Sequence, residues 1–363
     1  MGYVAVKGGT AAIEESANRI KYERLRGLTV PQVQDIANGM RALVDTVMSE
    51  GSLYDRELAA IAIKQAEGSM EEAVFLLRAY RSTVERKHYS RVADTDNLRI
   101  ERRISASFKD IPGGQILGAA HDYIHRLIDF SLVNEEQTAI AAWVDEYLHS
   151  SAAEYAESGK FPRVADYLRE QGLMETFVDN NDEPIDITRK NLEFPTMRSE
   201  RLQILTRGQT GAVTALGYAA LRGYGDLHPT VGELRVGALP LYVGDPLSED
   251  DDDSYYIGEI KVTEVETYVP AAVRQSDGMA LRLRSGYGIC YGQNETKAIA
   301  MSLLDLCLEA EEKRHPTQDE EFVLYHIDSV EATGFISHLK LPHYVTFKSK
   351  LDSVRKTGNS DDS

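Results

Sequence analysis

The residues of this chain most easily tied to chemistry are two histidine pairs and two arginine-rich stretches. His338 and His343 lie five apart across Pro342, so they are not neighbours on one regular helix. A loop or strand end could bring both imidazoles to one metal ion. Zinc takes three or four ligands, so the pair alone does not complete a site. The competing reading is two structural or hydrogen-bonding histidines, since imidazole serves both roles. His121 and His125 stand at i, i+4, which on a helix places them on one face. No Glu motif accompanies them, and a partly buried helix face is the simpler account.

Anion binding has a wider base. Residues 78–110 carry Arg78, Arg81, Arg86, Lys87, Arg91, Arg99, Arg102, Arg103 and Lys109 against five acids. Arg189, Lys190, Arg198, Arg201 and Arg207 form a second positive stretch, opposed only by Glu193 and Glu200. Guanidinium forks match phosphate oxygens two at a time, but each arginine could equally pair with one of the chain's many carboxylates. Gly8-Gly9, Gly113-Gly114 and Arg222-Gly223-Tyr224-Gly225 could bring backbone N–H groups close to an anion. None is a Walker or dinucleotide fingerprint, and a lone Gly-Gly is often only a turn. There is no G-x-S-x-G elbow, no H-E-x-x-H and no kinase signature.

The whole chain frames these groups. Its formal net charge of −18 repels nucleic acid and anionic membranes, so a polyanionic ligand requires a local basic cluster. At 363 residues, with 42% apolar and 27% charged side chains, the composition is that of a globular protein of about two domains. Two cysteines, Cys290 and Cys307, build no disulfide framework and fit a reducing compartment. The opening MGYVAVKGGTAA lacks a signal-peptide core, and no stretch approaches the roughly 18 apolar residues of a spanning helix. The expectation is a soluble, cytoplasmic protein that binds neither nucleic acid nor membrane.

Tyr3–Val6 reads as a short strand ahead of Gly8-Gly9. Apolar spacing predicts helices over Val33–Gly51, Asp55–Glu67 and from Ser69, where Ser69 and Glu72 make a capping-box pattern. Ile116–Val133 reads as a helix carrying His121 and His125. Residues 130–186 turn strongly acidic and read as a solvated connector with helical pieces. Arg201–Leu205, Gln209–Leu221 and Asn294–Ala310 read as helix. Leu234–Val243, Tyr255–Val269 and Leu281–Tyr291 alternate as strands do, and Glu321–Phe347 reads as strand and loop. The class is α+β, with a mainly helical domain over 1–130, an acidic connector over 131–186 and a mixed α+β domain over 187–363.

Taken together, several strings resemble one family: YVAVKGG at 3–9, DRELAAIAIKQAEG at 55–68, EEAVFLLRAYRSTV at 71–84 and RIERRISASFKDIPGGQILG at 99–118. DYIHRLIDF at 122–130, RGYGDLHPTVGELRVG at 222–237, QDEEFVLYH at 318–326 and GFISHLKLPHY at 334–344 belong with them. They resemble the PhnI family, the central subunit of the bacterial carbon–phosphorus lyase core complex. The likeness spans both ends of the chain and thins over 131–185, over 240–280 and after Phe347.

The resemblance implies that ribose 5-triphosphate is transferred from ATP to an alkylphosphonate with release of adenine. It also implies that the chain alone acts as a purine nucleosidase on ATP or GTP. It implies a homodimer at the centre of a hetero-oligomer with PhnG-, PhnH- and PhnJ-like subunits, the last carrying the iron–sulfur chemistry for which this chain has too few cysteines. Breaking an N-glycosidic bond calls for a carboxylate beside the ribose and an acid for the departing purine. Candidate carboxylates inside the matching strings are Asp110, Glu233, Asp319, Glu320 and Glu321. The triphosphate calls for arginines and Mg²⁺, with Arg102, Arg103, Arg201 and Arg222 as candidates. The family's histidine pair makes His338 and His343 ligands of Zn²⁺, completed by water, substrate or the PhnJ-like partner. The alternative is a scaffold subunit whose matching strings are subunit contacts.

Overall fold

Side-chain caps start many of the helices where the sequence places them. Asp55 accepts a hydrogen bond from Leu58 N, Ser69 from Glu72 N and Asn294 from Lys297 N, each holding an N–H that a first helical turn leaves unpaired. The structure is a computed structural model. It describes residues 9–107, 114–151, 161–174, 183–224, 228–245, 247–248, 253–275, 278–341 and 343–358. The strand expected at Tyr3–Val6 lies outside the described residues.

In chain order come α1 (Gly9–Leu25), α2 (Val33–Gly39), α3 (Arg41–Gly51), α4 (Arg56–Gln65) and α5 (Met70–Thr83). The strand β1 (Arg99–Ser105) follows, then α6 (Gln137–Ser151) and α7 (Val164–Glu170). Next are α8 (Arg198–Arg207) and α9 (Thr210–Tyr218), the latter running into a π-helical turn at Ala219–Tyr224. Three long strands, β2 (Thr230–Gly244), β3 (Ser254–Gln275) and β4 (Gly278–Tyr291), lead to α10 (Glu295–Leu308). The chain closes with α11 (Glu320–His326), α12 (Ser329–Ser337) and α13 (His343–Gly358). Helices and one antiparallel sheet in separate blocks make the fold α+β.

Contacts divide the chain into two units, each assembled from separated segments. The helical unit comprises Met1–Glu85, Asp186–Ala215 and Asp319–Ser363. Its core gathers Ile36, Val44, Val47 and Met48 with Ala59, Ile63, Val74 and Leu77, from α2 to α5. Each of the larger side chains, Ile, Val, Leu and Met, contributes about 1.5–3 kcal/mol by leaving water.

The sheet unit comprises Arg86–Ile185 and Leu216–Gln318. Its strands run β1-β2-β3-β4, each antiparallel to the next. Successive side chains in a strand point to opposite faces, and the two faces differ in kind. One face packs on α10, whose residues from Lys297 to Leu308 are nearly all buried. Glycine permits that approach, because a Cβ on Gly286 or Gly288 would lie about 2 Å from the carbonyl oxygens of Ser302 and Ala298. The other face carries charge.

Two local expectations change. Ile116–Val133 is not a helix: His121–Tyr123 and Phe130–Asn134 are separate 3₁₀ turns, so His121 and His125 do not share a helical face. Ile124, Leu127 and Ile128 stay exposed, so no core drives this segment into a continuous helix. The strand-and-loop reading of Glu321–Phe347 also gives way to helices. Asp319 caps α11 through Phe322 N, and Asp328 caps α12 through Val330 N and Glu331 N.

Candidate active site

Glu233 and Arg235 alternate along β2, and Glu264, Glu266 and Tyr268 along β3, so the register sets them on one face. Glu233 pairs with Glu266, and Arg235 with Glu264. Arg103 on β1 lies opposite Arg235, and Tyr287 on β4 opposite Glu266. Gly232 leaves room for the Tyr268 ring, which a Cβ there would penetrate. Arg163, just ahead of α7, adds a third guanidinium, and Val164 and Ala165 pack against Tyr268.

Three arginines and three glutamates thereby share a buried space. Arg103 donates through Nε to Glu233 Oε1 at 2.7 Å and through Nη2 to the Pro162 carbonyl at 2.7 Å. The second oxygen of Glu233 accepts from Val164 N at 3.0 Å. Arg235 grips Glu264 Oε2 with two donors, its Nε at 2.9 Å. Thr95 Oγ1 and Tyr287 Oη donate to Glu264 Oε1 at 2.9 and 2.8 Å. Arg163 Nη2 bridges the two carboxylates on β3, lying 3.4 Å from Glu264 Oε1 and 3.1 Å from Glu266 Oε1. Tyr268 Oη donates to Glu266 Oε2 at 2.9 Å. Arg163, 17% exposed, and its neighbour Asp96 carry the cluster to solvent.

The two bridged carboxylates titrate in opposite directions. Burial raises the Glu264 carboxyl, but Arg235 and Arg163 with the Tyr287 hydroxyl outweigh it, so Glu264 is held below the usual range and stays ionised. Glu266 is also raised by burial; Arg163 offsets only part of this, and nearby Glu264 adds repulsion, so its carboxyl ends above the usual range. Burial pushes the Tyr287 and Tyr268 hydroxyls up, and both keep their protons as donors. Arg163 ends raised because Glu264 and Glu266 overcome its own burial. Two neighbouring carboxylates whose pKa values are pushed apart, one down and one up, are the pattern from which acid and base roles are assigned.

The residues expected from sequence are distributed as follows. Arg103 and Glu233 belong to this cluster and bind each other. Arg102 falls on the opposite face of β1, donating to the Leu117 carbonyl and to Asp122, with Nε 2.8 Å from Glu295 Oε1. Burial pulls Arg102 down, but its hydrogen bond to Glu295 and the charges of Glu295 and Asp122 leave it raised. Arg222 is exposed in the π-helical turn. In the helical unit, Arg201 donates to the Thr196 carbonyl at 3.0 Å and lies 3.6 Å from Glu320 Oε2. Glu320 accepts from Thr196 Oγ1 at 2.7 Å, Asp319 caps α11, and Glu321 is exposed in its first turn. Asp110 lies outside the described residues.

His338 is exposed in a 3₁₀ turn after α12, and its Nδ1 meets the Phe335 carbonyl. A carbonyl only accepts, so Nδ1 is the donor in this contact, which leaves Nε2 as the nitrogen that could face a metal. His343 opens α13, and Pro342 between them lies outside the described residues. No group of three His, Cys, Asp or Glu among the described residues could hold a metal. The donor chemistry therefore fits zinc only if further ligands come from elsewhere. Cys290 and Cys307 are both buried, and neither is in a disulfide. No helix among the described residues is long and apolar enough to cross a membrane.

Sequence reading did not single out Glu264, Glu266, Arg163 or Arg235. A signal was present: Glu-x-Arg on one strand and Glu-x-Glu on the next, each alternating with apolar or small residues, places charge on one face of a sheet.

These features define an α+β protein whose antiparallel sheet is backed by one helix and carries a buried acid–arginine cluster on its other face. The family model "Bacterial phosphonate metabolism protein (PhnI)" matches residues 2–361, and the chain belongs to the PhnI family. It is 43% identical to the "Alpha-D-ribose 1-methylphosphonate 5-triphosphate synthase subunit PhnI" of Rhizobium meliloti (strain 1021), covering 98% of this chain and 94% of that one. It is 43% identical to the protein of the same name from Escherichia coli (strain K12), covering 98% of each chain. The "Putative C-P lyase subunit protein HtxH" of Stutzerimonas stutzeri is 42% identical, with 98% of this chain and 96% of that one covered.

Proposed function

We propose that this chain is the ribosyl-transfer subunit of a carbon–phosphorus lyase complex, moving ribose 5-triphosphate from ATP to an alkylphosphonate and releasing adenine. Two relatives named as ribose 1-methylphosphonate 5-triphosphate synthase subunits support the reaction class. The observation that carries the chemistry is the pair of carboxylates bridged by Arg163, one held below the usual carboxylate range and one raised above it.

In this reading the ribose C1′–N9 bond breaks heterolytically and its electron pair leaves on the purine. Protonated Glu266 gives its proton to a purine ring nitrogen, and anionic Glu264 stabilises the oxocarbenium charge growing on the sugar. A phosphonate oxygen then bonds to C1′. With water as acceptor, the same steps give ribose 5-triphosphate and free base, which is the nucleosidase activity proposed for the isolated chain. The triphosphate is assigned to exposed Arg222 with Mg²⁺; Arg102, Arg103 and Arg201 would serve only by giving up their present carboxylate and carbonyl partners.

Partner subunits of PhnG, PhnH and PhnJ type, and a second copy of this chain, belong to the same proposal. Leu127, Ile128, Phe130, Trp143 and Leu148 are all more than half exposed, and large apolar side chains left to water in this number fit subunit contacts. Such surface equally favours the second reading, a scaffold that completes its site only with partners. His338 and His343 are proposed to hold Zn²⁺ with a partner's ligands. Metal analysis of the assembled complex carrying His338→Ala and His343→Ala tests this, and wild-type zinc content would overturn it.

Adenine release from ATP by the isolated chain tests the main reading. Glu266→Gln is expected to lower the rate about 10²–10⁴-fold, the usual contribution of a positioned acid. An unchanged rate in the folded variant, or no release from the wild-type chain, returns the role to scaffold.

A further inference from the structure

The helical unit holds a second group of arginines with a different balance. Arg78 and Arg81 stand i, i+3 on α5, on one side of the helix. Arg78 is fully engaged: Nε donates to the Glu50 carbonyl at 2.9 Å and Nη2 to the Arg207 carbonyl at 3.0 Å. Its Nη1 meets both oxygens of Asp328 at 2.9 and 2.8 Å. Asp328 is likewise spent, since it also caps α12 through two backbone N–H groups.

Arg207, the last residue of α8, is not spent. Its side chain forms no ion pair among the described residues, and its buried Nε has no hydrogen-bond partner. Burial and the repulsion of Arg78 and Arg81 pull its pKa down to about 10, with Asp328 and Asp186 offsetting only part. A buried guanidinium donor without an acceptor is costly to keep in a fold that gains nothing from it.

Arg207 lines a cavity of about 170 Å³ whose other walls include Leu192, Ile204, Leu324, Tyr325 and Ile327. Asp328 and Glu331 also reach it, the first neutralised by Arg78 and the second exposed at the first turn of α12. The wall is therefore about half polar and half apolar, with the Arg207 guanidinium facing the aliphatic side chains of Leu192, Ile204, Leu324 and Ile327. A guanidinium fork takes an oxyanion through two N–H groups, and aliphatic walls take a short apolar group.

We propose that this cavity binds a small oxyanion carrying a short apolar substituent, with Arg207 as its cation. The site lies entirely within the helical unit and is independent of the carboxylates proposed for ribosyl transfer. Alkylphosphonates have this chemistry, and so do short carboxylates.

The test is titration calorimetry on the full chain at constant ionic strength, with methylphosphonate, butyrate and inorganic phosphate as probes. Saturable binding of methylphosphonate or butyrate, tighter than that of phosphate, is expected; which of the two binds more tightly identifies the source. Arg207→Met is expected to weaken that binding at least tenfold while leaving the ligand-free melting temperature equal or higher, because a repelled charge is gone. Leu192→Trp, which fills the cavity and leaves Arg207 in place, is expected to weaken it similarly. No saturable binding by the wild-type chain overturns the proposal, as does unchanged affinity in either variant. Phosphate binding more tightly than both tailed probes overturns it too. A lowered ligand-free melting temperature in Arg207→Met would make Arg207 a structural residue and would also overturn it.

Discussion

The charged sheet face and the arginine group around Arg207 are both partly buried, yet they solve burial differently. On the sheet face three guanidiniums meet three carboxylates, and nearly every donor is satisfied by an acceptor on a neighbouring strand or on the segment leading into α7. In the helical unit, Arg78 and Asp328 satisfy each other and a helix cap, while Arg207 is left beside a cavity with two cations for neighbours. Compensated charge fixes geometry, and surplus charge waits for a ligand. Even within the compensated cluster the sharing is unequal: four residues, Thr95, Arg163, Arg235 and Tyr287, donate to Glu264, whereas among the described residues only Arg163 and Tyr268 are seen donating to Glu266.

Breaking the compensation should have the largest effect. Glu264→Ala leaves Arg235 buried without its anion and Arg163 with Glu266 as its closer carboxylate, and is expected to cost about 3–5 kcal/mol in denaturant unfolding. Glu266→Gln sharpens the contrast. It keeps the volume and removes a carboxyl whose ionised form the fold disfavours, so stability at neutral pH should hold or rise while adenine release falls about 10²-fold or more. The sign with pH follows: a raised folded pKa means Glu266 contributes stability at low pH that is lost as pH rises through it, and base release should decline over the same interval.

Asp328 runs the opposite way. Burial raises it, but Arg78 and the α12 N–H groups leave its folded pKa lowered. Its contribution is complete above the unfolded value of about 3.9 and is lost as pH falls through the folded one. Asp328→Asn should lower stability by about 1–2 kcal/mol at neutral pH and flatten that acid limb in thermal melts. The smallest effect is expected for Arg235→Lys, which keeps the charge but replaces the two-donor grip on Glu264 by one contact. A loss of about 1 kcal/mol in chemical denaturation would match a single hydrogen bond, and a loss as large as that of Glu264→Ala would contradict the compensation argument.

Legibility in the sequence followed the range of the forces involved. Strands β2, β3 and β4 were readable because alternation and β-branched residues act within one strand. The strand β1 was not: Arg99–Ser105 holds three arginines in seven residues, and their charge is met by carboxylates from elsewhere, Glu259, Asp122, Glu295 and Glu233. The apolar pattern of the C-terminal segment favours strand and loop, yet Asp319 and Asp328 stand in capping positions and the segment is helical. Short helices depend on their caps more than on their apolar pattern.

The family, the α+β class, the strand spacing, and Arg103 and Glu233 as charged residues of interest were all contained in the order of residues. Side-chain alternation, capping and resemblance each act along the chain. What only the tertiary structure decided is which charges meet. Adjacent Arg102 and Arg103 point to opposite faces of β1 and serve Glu295 and Glu233 respectively, because a strand turns every second side chain over. Glu264 and Glu266, two residues apart and chemically alike, are driven to opposite titration behaviour by Arg235, which sits 29 residues from Glu264 along the chain and beside it in the sheet. A pKa is set by distances in space and by burial, and neither is a property of sequence separation.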